Sequence, residues 1–134
     1  MPFFDKHFTV SEANECLPRV RELFAQIHAL VTISKQTQFL QSLPAPPLPT
    51  AQTNGKHNKP KDLRPHLQAL ITEITDQGIV IQDISRGLID FPAFIEGEEV
   101  FLCYELADGD TVRFYHPLQT GFGGRKPIPD SAYF

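Results

Sequence analysis

Residues 86–125, RGLIDFPAFIEGEEVFLCYELADGDTVRFYHPLQTGFGGR, decide the fold. Apolar and aromatic residues recur here with a period of two, the mark of strands whose side chains alternate between faces. LIDFPAFI reads as one strand, and Pro92 belongs on an edge or at a bulge because proline offers no ladder donor. Glu96-Gly97 turns the chain into VFLCYEL, and Asp108-Gly109 is a hairpin signal before TVRFYH. Upstream, IVIQDI from Ile79 adds a strand closed by Ser85-Arg86-Gly87. Residues 79–116 therefore predict an antiparallel sheet of three or four strands, followed by a Gly/Pro-rich tail at 117–134.

The Asp108-Gly109 turn sets a register. With Leu106 opposite Thr111, Cys103 opposes Phe114 and Phe101 opposes His116. One face then carries Phe101, Cys103, Glu105, Val112, Phe114 and His116. The other carries Val100, Leu102, Tyr104, Leu106, Arg113 and Tyr115. Both faces are partly apolar, so both are expected to be covered, one by helices and the other by a second subunit.

Before the sheet the period changes to that of a helix. Thr9 and Glu12 form a capping box, the hydroxyl accepting from one amide while the carboxylate reaches back to the other. Val10, Ala13, Leu17, Val20, Phe24, Ile27 and Val31 then recur at gaps of three and four, widened by Leu23 and Leu30. The predicted first helix spans 9–43, about 50 Å at 1.5 Å per residue, with Pro18 inside it and a Glu15–Arg19 pair on its surface. A proline-rich loop at 44–61 carries a small basic run of Lys56, His57, Lys59 and Lys61. A second helix at 62–77 has Asp62 as N-cap, Pro65 in its first turn and Gly78 as its stop. The fold class is α+β: a long antiparallel helical hairpin packed on a small antiparallel sheet.

At 134 residues the chain forms one domain with room for a core. Its net charge of -4 gives no global field for nucleic acid or an anionic membrane. No stretch approaches a membrane span, and the N-terminus lacks the apolar run of a signal peptide. Cys16 and Cys103 match no zinc or redox spacing and read as reduced thiols, so a cytoplasmic protein is expected.

The strings FTVSEANECLPRVREL, RGLIDFPA, VFLCYEL and YHPLQTGFGGRKP resemble DUF2203, a domain-of-unknown-function family of bacteria and archaea. The resemblance covers the chain apart from the proline-rich loop and implies no particular activity. Members of that family carry Trp where this chain has Tyr104 and Tyr115, and Gly-Glu where it has Gly109-Asp110. An aromatic and an acid are kept at those places.

The family motif singles out Asp90, Asp110, His116 and Arg125. Two carboxylates and an imidazole suit a divalent cation, with Arg125 left for a small anionic ligand. The same Asp90 and His116 would also serve as a hydrogen-bonded pair that fixes the sheet. Cys103 shares a face with His116 in the inferred register, within side-chain reach. A thiol–imidazole nucleophile is one reading of that pair, and a core thiol in an apolar run is the other. Gly121-Phe122-Gly123-Gly124-Arg125-Lys126 reads either as a backbone nest for an anion or as a subunit contact. It lacks the spacing of phosphate-loop and dinucleotide fingerprints, and the identity of any cofactor is left open.

The expected function is a non-catalytic binding or assembly module that self-associates through the first helix or the sheet. The alternative is a ligand- or metal-binding, hydrolase-like site built from Asp90, Asp110, His116 and Arg125.

Overall fold

The computed structural model describes residues 2–42 and 62–133. The proline-rich loop and its basic run lie outside the described residues. Two helices, α1 (Val10–Ser42) and α2 (Arg64–Thr75), precede five strands: β1 (Val80–Asp83), β2 (Leu88–Ile95), β3 (Glu98–Tyr104), β4 (Phe114–Pro117) and β5 (Lys126–Pro127). The strands form one antiparallel sheet in the order β1-β2-β3-β4-β5. The class is α+β.

Two features correct the sequence reading. The sheet has five strands rather than three or four, because Lys126 and Pro127 leave the tail to pair with Tyr115 and Phe114. The helices are unequal, 33 residues against 12, so the long hairpin reduces to a long helix with a short one beside it. Arg19 belongs to that contact. It bonds Glu73 of α2 through two nitrogens, at 2.6 and 2.8 Å, and Glu22 on its own helix, in place of Glu15.

The α1 start follows from its cap. The Glu12 amide donates to Thr9 Oγ1 at 3.0 Å, and the Thr9 amide to Glu12 Oε1 at 2.9 Å. α2 begins differently. Leu63 occupies the cap position, and Asp62, one residue earlier, accepts from the Arg64 amide.

The core lies between α1 and the inner face of the sheet. Val10, Ala13, Leu17, Val20, Phe24 and Ile27 are buried along α1, as their spacing requires. They share one apolar cluster with Ile89, Phe91 and Ala93 of β2 and Val100, Leu102 and Tyr104 of β3. Burying such side chains contributes about 1.5–3 kcal/mol each.

β2 is buried on both faces over most of its length. Part of the outer cover comes from the chain itself: Phe4 packs on Phe101, opposite Pro92, and residues 118–122 line a cleft beside Asp90. Phe94 remains 48% exposed at the rim. Pro92 is accommodated because β1 pairs only with Leu88–Asp90. On that open side the Pro92 carbonyl accepts from the Phe8 amide at 2.7 Å, and no ladder donor is missed.

The β3–β4 register is the one inferred, with Phe101 opposite His116 and Cys103 opposite Phe114. The connection is not a two-residue turn, however. The ladder ends at Cys103–Phe114, and Leu106–Asp108 forms a short 3-10 turn within the loop. That loop is tied to α1, since Asn14 Oδ1 accepts from the Val112 amide and Arg21 donates to the Gly109 carbonyl.

Candidate functional site

Three neighbouring strands bring three ligand-type side chains together on the outer face. Asp90 of β2 sits directly opposite Cys103 of β3, and His116 of β4 lies on the diagonal. Their ligand atoms all lie within 4.8 Å of one another. All three are buried: Asp90 is 1% exposed, Cys103 0% and His116 2%.

His116 Nε2 lies 3.1 and 3.2 Å from the two Asp90 carboxylate oxygens. Its other ring nitrogen, Nδ1, donates to the Pro117 carbonyl at 2.8 Å. Gln82 reaches across from β1, its side-chain amide donating to Asp90 Oδ2 at 2.9 Å. A cleft of about 400 Å³ opens from this group, with Leu118, Thr120, Gly121 and Phe122 along it. The cluster therefore forms part of a cleft wall built on rigid strands and faced by a loop.

Burial dominates the electrostatics. It pushes the Asp90 carboxyl above the usual carboxylate range, against the opposing pull of His116 and Gln82. Burial first, and then the Asp90 charge, pushes the Cys103 thiol up to about 12. A thiol so placed is a poor nucleophile at neutral pH. That weighs against thiol–imidazole chemistry in the metal-free protein.

Arg125 lies beside Cys103 but is engaged by Asp108. Its guanidinium bonds both Asp108 oxygens, at 2.8 and 3.1 Å, and lies over the Phe114 and Phe122 rings, 4.1 Å from each centroid. Arg86 covers Phe122 as well, 4.2 Å from its centroid, while pairing with Glu105. Burial pushes the Asp108 carboxyl up, but hydrogen bonds from Arg125 and the Glu105 amide prevail and hold it below the ordinary range.

The structure thus brings Asp90 and His116 into contact, keeps Arg125 one residue removed beside Cys103, and leaves Asp110 out. Asp110 is exposed on the loop whose Gly109 carbonyl is held by Tyr104 and Arg21, on the helix side of the sheet. The glycine-rich segment is not a nest. Gly121, Gly123 and Gly124 lack the positive φ that alternating backbone amides require, and Arg125 is engaged by Asp108. His28 Nε2 donates to the Ile84 carbonyl at 2.8 Å, and His66 is exposed.

Asp108 and Gln82 were not singled out from sequence. Asp108 reads as turn chemistry in an Asp-Gly pair, and no linear signal distinguishes it. Gln82 carries a weak signal, as the first polar residue after the apolar run Ile79-Val80-Ile81 on the strand that precedes Asp90. The sequence admits Cys103 as a nucleophile or a core thiol, and its closeness to Asp90 follows only from the β2–β3 register.

Among the described residues no helix is long and apolar enough to cross a membrane. Residues 6–128 match the family described as Uncharacterized conserved protein (DUF2203), and the chain belongs to that family. No curated protein and no solved structure matches the chain.

Proposed function

We propose, starting from that family membership, that the protein is a non-catalytic binding module whose ligand enters the cleft ending on Asp90 and His116. The observation that carries this reading is a buried carboxylate–imidazole pair on the cleft wall, outside the apolar cluster between α1 and the sheet. Buried polar groups of this kind are costly to fold around, and they accumulate where a ligand is to be met. The restrained thiol and the absence of Arg125 from the cleft favour binding over covalent chemistry. A reducing, cytoplasmic setting suits a cleft that holds a free thiol.

Native mass spectrometry tests this on protein purified without a metal-binding tag or chelator. The expected spectrum carries an added mass that is lost in His116→Ala. Identical ligand-free spectra for the two proteins would count against the reading.

Self-association is a second reading, favoured by apolar surface at three places. Ile33 on α1 is 47% exposed, and Phe94 lies open at the sheet rim. A groove of Ile71, Ile79, Ile81 and Ile84 also runs beside the unpaired edge of β1. Edge strands and apolar patches are the usual material of homodimers. Light scattering on the wild type and on Ile81→Lys separates the cases, since a strict monomer at high concentration removes this reading.

A further inference from the structure

The hydrogen bonds of His116 constrain what lies between it and Asp90. A carbonyl oxygen only accepts, so the Nδ1 contact with Pro117 places a proton on Nδ1. In the neutral imidazole Nε2 then presents a lone pair, and it points at both oxygens of a carboxylate. Two acceptors do not bond each other. A proton or a cation has to sit between them, on the buried wall of the cleft.

Several features of the surroundings favour a cation. Cys103 brings a third donor atom from the strand between the other two. Bonds of about 2.0–2.3 Å place tetrahedral ligand atoms about 3.5 Å apart, and the three atoms are already within 4.8 Å. One carboxylate and one thiolate cancel the charge of a divalent ion, which removes the cost of burying either anion alone. The outer contacts are those of a ligand set as well: the Pro117 carbonyl fixes the imidazole tautomer, and Gln82 orients the carboxylate. Arg125 beside Cys103 lowers the cost of its thiolate.

We propose that Asp90, Cys103 and His116 are three ligands of one zinc-class divalent cation, whose remaining coordination position faces the cleft. This rests on the cleft being a ligand site and names the ligand's chemical class. Thiolate and imidazole donors select zinc, cobalt and their neighbours over magnesium or calcium, which need oxygen shells. Binding displaces the Cys103 proton, and the proton between Asp90 and His116, to solvent.

The test is a Co(II) titration of the full chain after chelator treatment, with circular dichroism confirming that each protein is folded. One equivalent of Co(II) is expected to give a thiolate-to-metal charge-transfer band with tetrahedral visible bands, all abolished by Zn(II). Cys103→Ser should lose the charge-transfer band, and Cys103→Ser and Asp90→Asn should each weaken binding by about 10–100-fold or more. Excess magnesium should not compete. Cobalt bound without a thiolate band, or equally well by Cys103→Ser, would place the ion elsewhere and overturn the assignment. Folded protein that takes up neither metal would also overturn it. In that last case a retained mass lost in His116→Ala would keep the cleft as the site of a different ligand, and its absence would remove both readings.

Discussion

His116 is held at both ring nitrogens, Nδ1 at 2.8 Å from the Pro117 carbonyl and Nε2 at 3.1 Å from Asp90. The first contact comes from the backbone one residue on, and the second from a strand two places away in the sheet. The imidazole therefore cannot turn without losing a buried hydrogen bond. His116→Ala should cost about 2–3 kcal/mol in urea denaturation of metal-free protein, since it leaves the buried Asp90 carboxyl with only Gln82 and the Cys103 thiol beside it. A change under about 0.5 kcal/mol would show that the pair is not formed.

Cys103 should be chemically silent. With its thiol pushed up to about 12, only roughly one molecule in ten thousand is thiolate at pH 8. Half-buried Cys16, whose thiol burial also raises, should still be alkylated first in native protein, and Cys103 only on unfolding. Peptide mapping after iodoacetamide treatment checks the order. Faster labelling of Cys103 would revive the nucleophile reading.

Asp108 and Arg125 make a pH prediction with a definite sign. The Asp108 carboxyl is held low in the folded protein, so its stabilisation is present above the unfolded value of about 3.9. It is lost as pH falls through the lower folded value. Arg125→Met should reduce stability at pH 7 by about 2–3 kcal/mol, because Asp108 stays largely buried without its partner. It should also move the acid-unfolding midpoint to higher pH. A midpoint that stays in place or falls would contradict this.

Gly87 marks a steric limit. Its φ is +61°, and a Cβ there would lie 2.4 Å from Leu106 Cγ. Gly87→Ala should cost about 2–3 kcal/mol, from left-handed backbone strain together with overpacking. Gly97→Ala has the same handedness but open space around it, so about 1 kcal/mol is expected. Chemical denaturation of the two variants separates packing from backbone, and equal losses would show that Leu106 yields freely.

Much of this was legible in local chemistry. The Thr9–Glu12 cap and the α1 stripe are short-range patterns, and both appear as read. The β3–β4 register survived a wrong turn type. The loop after Tyr104 leaves the ladder, yet it returns with Phe101 still opposite His116. β5 was not legible, because two residues ending in proline become a strand only when Tyr115 is already in place to pair with them. In the candidate site, Asp90 and His116 stood out, but Asp110 was preferred to Asp108. Both fit a turn, and only the packed Phe114–Arg125–Phe122 stack decides which carboxylate the guanidinium meets.

Cation binding between Asp90 and His116 turns on the state of one imidazole, which nitrogen-15 NMR of His116 reads directly. Nδ1 should carry a proton throughout, and the Nε2 resonance should shift when one equivalent of Zn(II) is added to chelator-treated protein. A bare Nδ1 with a proton on Nε2, unmoved by zinc, would make Asp90 and His116 a closed structural hydrogen bond and contradict the account.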